Sequence, residues 1–597
     1  MQVKVAQVEK IETMLPAMLV SATYDGVSKS AVLKFYEPTE QKLFLWKDEI
    51  GHKPYCYSKL SPDELDFLQE RDDVLEIKTV KKHDLIQDKE IEMSKITVDN
   101  PLSIGGNYGE SIRNQIETWE SDIKYYETYL YDRKLIVGKY YEVTEGLLKP
   151  HNMEISNEVK LALKSLLWDK VDSNSMIDAE EFKEFISEWA DLLNQPIPKI
   201  KRLSVDIEVE FEPGRFPDPK LAEKRITAIG LKGTDDFDQI FVLKTENTEQ
   251  GNNELNENIK VTFYDLDKEK EMIADAFKMI EEFPFVLTYN GDEFDLPYLY
   301  NRAERLGISN QDNPLYMMRD SATLKHGVHI DLYRTLSNRS FQIYAFSQSY
   351  TDFTLNSVSK ALLGKEKIDY GLDFDKLSLY QTANYCYNDA QLTYELTSFN
   401  GDLLMNLLVI IARIGRMPID DIARMGVSQW IRSLLYYEHR KRNALIPKRE
   451  ELQKRTEGVM SDAVIKDKKY RGGLVVEPKE GIHFKVVVMD FASLYPSIIK
   501  VRNLSYETVR CSHEKCKENT VPQTNHWTCS KKNGLTSIII GSLRDLRVNY
   551  YKSLSKKETL TDEQRQQYTV VSQALKVILN ASYGVMGAEI FPLYFLP

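Results

Sequence analysis

The sequence predicts a multidomain protein of mixed α/β and α+β class, on three observations. At 597 residues the chain is too long for one hydrophobic core, and a prior of one domain per roughly 150 residues gives about four. Its texture changes along its length, from β-branched runs and turns to strands alternating with helices and then to long helical stretches. Apolar residues make up 42% and charged residues 28%, a globular balance. No apolar run approaches the roughly 18 residues needed to span a bilayer. The start, MQVKVAQVEKIETMLPAMLV, lacks the basic region, apolar segment and small-residue cleavage site of a leader. The expectation is therefore a protein inside the cell and off the membrane. A net charge of −13 excludes a basic-coated surface but leaves room for a basic channel.

Residues 1–196 read as a β-rich N-terminal domain with a helical extension. AMLVSATYDGVSKSAVLKFYE predicts a hairpin around Asp25-Gly26, and HKPYCYSKL a further strand. NEVKLALKSLLWDK and AEEFKEFISEWADLL carry apolar residues at 3–4 spacing and predict two helices. Between them Asp172, Asn174, Asp178 and Glu181 have the outline of a calcium loop. Lys170 stands where the first carboxylate belongs, however, and Ser175 where the sharp turn needs Gly, so an ordinary connection is the better reading. Residues 197–400 alternate strands (LSVDIEVE, RITAIGLKG, QIFVLKT, FVLTYN) with helices such as EKEMIADAFKMIEEF, an α/β domain. Residues 401–445 form a helical region, residues 446–540 a segment with the apolar strand VVVMD, and residues 541–585 two long antiparallel helices with a polar tip. Residues 586–597 begin another segment.

Carboxylates mark the chemistry. In SVDIEVE, Asp206 and Glu208 are two apart on a strand, so both side chains leave one face and can share a metal ion; a solvated strand face is the plain alternative. TYNGDEFDLPYLYNR places Asn290 at a strand end and Phe294 and Asp295 in the following turn and helix. In NYCYNDAQLTYEL, Tyr385 precedes Asp389 by one helical turn, so phenol and carboxylate share a face. Four acidic groups from separate segments of one α/β domain suit two-metal phosphodiester hydrolysis, with Tyr385 orienting the water. Further on, Asp490 ends the apolar run of VVVMDFASLYPSIIK. Such a strand is normally covered on both faces, where an ionised carboxylate needs a cation or donors.

DIE, N-x3-FD and Y-x3-D resemble, in order and spacing, the three exonuclease motifs of family B DNA polymerases. YRGG resembles the family's YxGG element, DFASLYPSII its motif A and KVILNASYG its motif B, while HKPYCY and YETYLYDRKLIVG are similar to its archaeal-type N-terminal domain. The resemblance covers nearly the whole chain. It implies an RNase H-like 3′–5′ exonuclease domain, a partial right-hand palm and helical fingers. It further implies DNA-directed nucleotidyl transfer with proofreading, two Mg²⁺ ions per active site, primer–template DNA and dNTPs as substrates, and a place of action in the cytoplasm at the nucleoid. On the same resemblance Asp206, Glu208, Asp295, Asp389 and Asp490 are metal ligands, and Tyr470, Gly472 and Gly473 contact DNA. Tyr495 excludes a 2′-hydroxyl, Lys576 and Asn580 hold the nucleotide, and Tyr583 and Gly584 close over it. Ala581 follows Asn580 where many members have Ser. Arg547 and Lys552 are the candidates for the phosphate clamp, but a spacing of five does not put them on one helical face.

Cys511, His513, Cys516, His526 and Cys529 fall within nineteen residues. Cys511, Cys516, His526 and Cys529 can supply a tetrahedral zinc site, with His513 as a substitute. Hyperthermophilic relatives in the family carry a disulfide near the positions of Cys516 and Cys529, and packed free thiols are the third reading. Cys56 and Cys386 read as ordinary buried cysteines.

The family's second palm carboxylate comes from a DTD hairpin downstream of motif B, and no DTD occurs in this sequence, which ends thirteen residues after Gly584. The chain alone is therefore expected not to polymerise. A second polypeptide carrying that motif and the thumb, a longer chain, or a dedicated exonuclease are the competing readings, with a DNA-binding assembly subunit as the non-enzymatic one. A sliding clamp is an expected partner only through a C-terminal segment beyond this sequence.

Overall fold

Alternating β-branched and aromatic residues punctuated by turn formers give the first 150 positions short antiparallel strands. The computed structural model describes residues 11–595 apart from 107–109, 152, 154–156, 168–177, 211–213, 215, 246–248, 319–321, 372–375, 457–475 and 523. Strands β1 (Thr13–Asp25), β2 (Ser30–Glu37), β3 (Lys42–Lys47), β4 (Tyr55–Ser58), β5 (Val74–Asp84), β6 (Lys89–Val98), β7 (Tyr140–Thr144) and β8 (Leu147–Pro150) pair as two antiparallel sheets, β3-β2-β1-β7-β8 and β4-β6-β5. The hairpin around Asp25-Gly26 forms. Asp25 pairs with Ser30, and its carboxylate accepts the amides of Val27 at 3.1 Å and Ser28 at 3.2 Å. The calcium-like spacing lies largely outside the described residues. Its last members start a helix, Ala179–Leu193, which Asp178 caps by accepting the Glu181 amide at 3.0 Å.

The α/β portion is built from β9 (Arg202–Val209), β10 (Ile226–Gly233), β11 (Phe237–Leu243), β12 (Lys260–Tyr264), β13 (Phe285–Thr288), a small hairpin of β14 (Leu315–Met317) and β15 (Ala322–Leu324), and β16 (Val328–Asp331). Six of them form one sheet in the order β12-β11-β10-β9-β13-β16. The pairs β9–β10 and β10–β11 are antiparallel, and the outer pairs are parallel. Leu203, Val205, Ile207 and Val209 leave one face of β9 and pack with Met272, Ile273 and Phe277 of the helix Glu269–Glu281 and with Leu296 and Leu299 of the helix Asp295–Arg305. The other face of the sheet meets the helix that begins at Leu379, through Ala228, Ile240, Val242, Ala383 and Tyr387.

That helix runs to Gly415 with a break at Phe399–Asp402, where four residues leave helical geometry. Its length and apolar content would suit a membrane span, yet Leu404 and Leu407–Ile411 are buried in the protein core. The second half carries Arg413, which is fully buried and pairs with no carboxylate among the described residues. Its guanidinium donates instead to the carbonyls of Gly138 at 2.9 Å, Gln195 at 2.8 Å and Pro196 at 3.0 Å. Burial lowers its pKa to about 10. Gly138 is required there twice over. Its φ is +84°, and a Cβ would meet Arg413 Cγ at 2.7 Å. One side chain thus joins the β-rich portion, the chain entering β9 and the central helix.

The C-terminal third is helical, with Val427–Lys441, Leu494–Val501, Leu535–Asp545 and Asp562–Met586 as its main elements. The expected strand VVVMD does not form. Residues 476–491 carry no strand assignment, Val488 is 88% exposed, and Asp490 is exposed with it. A strand of this composition needs neighbours on both edges and cover on both faces. Among the described residues none pairs with it, so the premise that Asp490 is buried is corrected.

Replacing Arg413 by Met should lower unfolding stability by roughly 3 kcal/mol, because three buried carbonyls each lose a donor worth about 1 kcal/mol. Urea unfolding should place Arg413→Lys between wild type and Arg413→Met. Equal midpoints for all three proteins would refute this role for Arg413.

Candidate functional site

Alternation along β9 creates a polar face opposite the apolar one, made of Arg202, Ser204, Asp206 and Glu208, and this face lies against the helix from Leu379. Arg202 Nε donates to Thr397 Oγ1 at 2.8 Å, and Ser204 Oγ to the Ala390 carbonyl at 2.5 Å. These contacts fix the helix so that Asp389 lies beside the strand carboxylates. The ligand oxygens of Asp206, Glu208 and Asp389 all lie within 4.8 Å of one another. Gly230 stands opposite Asp206 on β10, and a Cβ there would come within 2.8 Å of the Cys386 carbonyl. Glycine thereby lets the helix backbone lie close against the sheet beside the carboxylates.

Asp295 reaches the same place by another route. Strand β13 pairs with β9 only as far as Ser204, so the Ile207 amide beyond it has no strand partner on that side. The Asp295 carboxylate takes that amide at 3.1 Å. The preceding turn is held firmly. Asn290 has φ +69°, and Asp331 accepts the amides of Asn290 at 2.9 Å and Asp292 at 3.0 Å. Arg424 grips Asp292 through Nε at 2.8 Å and Nη2 at 3.0 Å. Tyr385 lies one turn before Asp389 on its helix, and Lys367 sits 5.2 Å from its ring centre while pairing with Asp389.

One ammonium does not satisfy this many acids. Asp206 Oδ2 and Asp389 Oδ1 are buried without a hydrogen-bond partner among the described residues. Burial, reinforced by the Asp389 charge, raises the Asp206 carboxyl well above its ordinary range and Glu208 to about 8. Burial also raises Asp295 to about 7. Burial opposes a charged Lys367, but the Asp389 carboxylate overrides it and keeps the ammonium above its ordinary value. Orphaned hard oxygens at this spacing fit a divalent cation.

The residues of the second expected centre are more scattered. Tyr495, on Leu494–Val501, stacks face to face on Tyr583, with ring centres 4.1 Å apart and planes 5° apart. Arg547 donates to Ser493 Oγ at 3.1 Å and to the Ser572 carbonyl at 3.3 Å. Lys576, half-buried, and Asn580, exposed, lie one turn apart on Asp562–Met586. The expected mismatch of Arg547 and Lys552 is corrected. Leu546–Tyr551 is a π-helical turn, and the Lys552 amide closes onto the Arg547 carbonyl, so the α-helical spacing rule does not apply to this pair. Asp490 stands apart in its exposed segment, and Tyr470, Gly472 and Gly473 lie outside the described residues. The cysteine loop is corrected too. The donors that converge are Cys511, His513, Cys516 and Cys529, and His526 is not among them.

The family model for the DNA polymerase family B exonuclease domain matches residues 116–358, and that for DNA polymerase family B matches residues 417–597. DNA polymerase 1 of Sulfolobus acidocaldarius is 39% identical over 99% of this chain and 67% of its own length. The chain belongs to the family B DNA polymerases. DNA polymerase 1 of Aeropyrum pernix is 37% identical over 97% of the chain and 60% of its own length. The structure of the family B DNA polymerase from Pyrobaculum calidifontis shares the fold at a TM-score of 0.67 and 18% identity, covering 97% of this chain and 69% of that one. This family B chain therefore spans about 60–67% of the length of the two relatives, and family membership implies use of divalent metal.

Sequence reasoning missed Lys367, Asp331 and Arg424 in this family B chain. Asp331, directly after the strand residues VHI, carried a usable signal as a strand-end carboxylate, whereas Lys367 sits in a polar loop with no periodicity to single it out. The raised carboxyls give a pH dependence. Their folded values lie above the unfolded ones near 4, so their stabilisation of the metal-free protein is complete below about pH 4 and is lost as pH rises through 7–8. Metal binds the deprotonated cluster, so Mn²⁺ should raise Tm more at pH 8.5 than at pH 6, and Asp206→Asn should shrink the difference. Equal Mn²⁺ shifts at both pH values in thermal melts with EDTA controls would contradict it.

Proposed function

We propose that Asp206, Glu208, Asp295 and Asp389 form a 3′–5′ exonuclease site that holds Mg²⁺ and hydrolyses the terminal phosphodiester of single-stranded DNA. The observation that carries this reading is the convergence of buried carboxylate oxygens, two of them unpartnered, from strand β9, the turn before Asp295 and the helix of Asp389. When bound, two ions would polarise the phosphate and lower the pKa of the attacking water. Asp206, Glu208 and Asp389 would hold one ion, and Asp295, tied to the Ile207 amide, completes the acidic set. Tyr385 stays protonated at neutral pH because burial raises it, and its hydroxyl holds the attacking water. Lys367 pairs with Asp389 and is placed to turn to the negative phosphate when substrate enters.

A second reading rests on the Tyr495–Tyr583 stack and on Arg547 reaching Ser493. Helices flanking Asp490 are arranged to receive primer–template and a dNTP, with Tyr495 beneath the sugar, Lys576 and Arg547 toward the triphosphate, and DNA at the nucleoid as substrate. The sequence holds no DTD, so Asp490 needs a second carboxylate from elsewhere. Nucleotidyl transfer is proposed only with a polypeptide segment that supplies that carboxylate and the thumb.

Digestion of a 3′-labelled single strand tests the first reading. Wild type with Mg²⁺ should shorten it from the 3′ end, EDTA should stop it, and Asp206→Ala should slow it by at least about 100-fold. An intact label after incubation of wild type with Mg²⁺ would overturn it, and DNA binding with no digestion would leave a binding module. Primer extension should be absent for the chain alone and appear when the complementary segment is added.

A further inference from the structure

We propose that Cys511, His513, Cys516 and Cys529 bind one zinc ion, and that Asp88 of the N-terminal portion orients His513 as its ligand. The proposal is independent of the exonuclease reading and of any nucleotidyl transfer.

The loop is shaped to converge its donors. Single-residue antiparallel bridges join Val509 to Thr528 and Thr520 to Trp527, and the Cys529 amide donates to the Thr508 carbonyl at 2.9 Å. Trp527 Nε1 donates to the Cys511 carbonyl at 3.1 Å, and a 3₁₀ turn at Glu514–Glu518 presents Cys516. All three thiols are buried, at 3%, 0% and 1% exposure. The four donor atoms lie within 4.8 Å of one another. Cys516 Sγ is 4.0 Å from Cys529 Sγ, and Cys529 Sγ is 3.5 Å from His513 Nδ1. A tetrahedral zinc about 2.3 Å from sulfur and 2.0 Å from nitrogen sets its donors roughly 3.5–3.8 Å apart, so little movement is needed. A disulfide between Cys516 and Cys529 would use two donors and leave a third thiol and an imidazole at ligand distance with no purpose.

Backbone amides already point at the sulfurs, Ser530 to Cys516 at 3.3 Å and Lys531 to Cys529 at 3.4 Å. Such bonds stabilise a thiolate, the form that zinc requires on release of the thiol protons to solvent. The imidazole is oriented from its other nitrogen. His513 Nε2 lies 3.1 Å from Asp88 Oδ2, on the turn between β5 and β6, which leaves Nδ1 for the metal. This is the carboxylate–histidine–metal arrangement that fixes a ligand's tautomer. Lys532 Nζ donates to the other Asp88 oxygen at 2.6 Å. Metal, imidazole and carboxylate would thereby fasten the loop between the helices Leu494–Val501 and Leu535–Asp545 to the N-terminal sheet. His526 instead lines an adjoining cavity of about 360 Å³ with Tyr506, Tyr583 and Phe595, and neither of its ring nitrogens has a partner.

Metal content and thiol titration of the full purified chain test this. Wild type and His526→Ala should each carry about one zinc per chain, and Cys516→Ser should carry none. Should Cys516→Ser fail to fold, Co²⁺-exchanged wild type supplies the same test through thiolate charge-transfer and intense tetrahedral d–d bands. His513→Ala and Asp88→Ala should each weaken Zn²⁺ affinity about 10- to 100-fold, and Asp88→Asn, which still accepts a hydrogen bond, should lose less. Zinc-free wild type with either five reactive thiols or three, the latter marking a disulfide, would overturn the site. Full affinity in His513→Ala with loss in His526→Ala would overturn the ligand set.

Discussion

Several buried acids and one ammonium occupy the junction of β9 with the helix from Leu379, and the architecture around them follows from holding that imbalance. A carboxylate out of water costs several kcal/mol unless something meets it. Here Lys367 meets Asp389, an amide meets Asp295, and two oxygens meet nothing. The fold keeps these groups together by packing elsewhere. The apolar face of β9 is buried against two helices, Gly230 admits the helix backbone, and Arg202 and Ser204 tie strand to helix just ahead of the strand carboxylates. Such a site is unstable as an assembly of acids and stable as a receptacle for cations, which is how hydrolytic metal sites are built.

The exonuclease half of this constellation was legible in the sequence because periodicity decides it. Two residues apart on a strand means one face, and four apart on a helix means one face, so Asp206 with Glu208 and Tyr385 with Asp389 follow from spacing. Asp295 was legible as a member but not in its attachment, since its bond to the Ile207 amide depends on where β13 stops pairing. Lys367 was not legible at all, because loop residues reach a site through tertiary folding and leave no period. The misreadings have equally local causes. VVVMD has the composition of a buried strand, but composition does not supply hydrogen-bonding neighbours, and its residues stand exposed. Arg547 and Lys552 looked mismatched only because α-helical spacing was assumed where the chain makes a π turn. His526 is as close in sequence to Cys529 as His513 is to Cys516, and the fold separates them.

The two candidate regions differ in how their residues are brought together. The carboxylate cluster draws its acids from one sheet and the elements packed on it, so it is assembled once that sheet forms. The region of Asp490 and Tyr495 draws on separate helices and on an apolar segment without strand partners. The stacked pair of Tyr495 and Tyr583 brings two of these helices together. Arg413 and the Asp88–His513 contact both cross from the N-terminal portion to later parts of the chain, so these later elements rest on a common base.

The buried acids form a receptacle suited to cations, and Lys367 pairs with one of these acids. An anomalous difference map from crystals soaked in Mn²⁺ tests it most directly. The account predicts a manganese peak bridging Asp206, Glu208 and Asp389, with Lys367 withdrawn from Asp389. A map with no peak, and with Lys367 still paired to Asp389 at millimolar Mn²⁺, would contradict it.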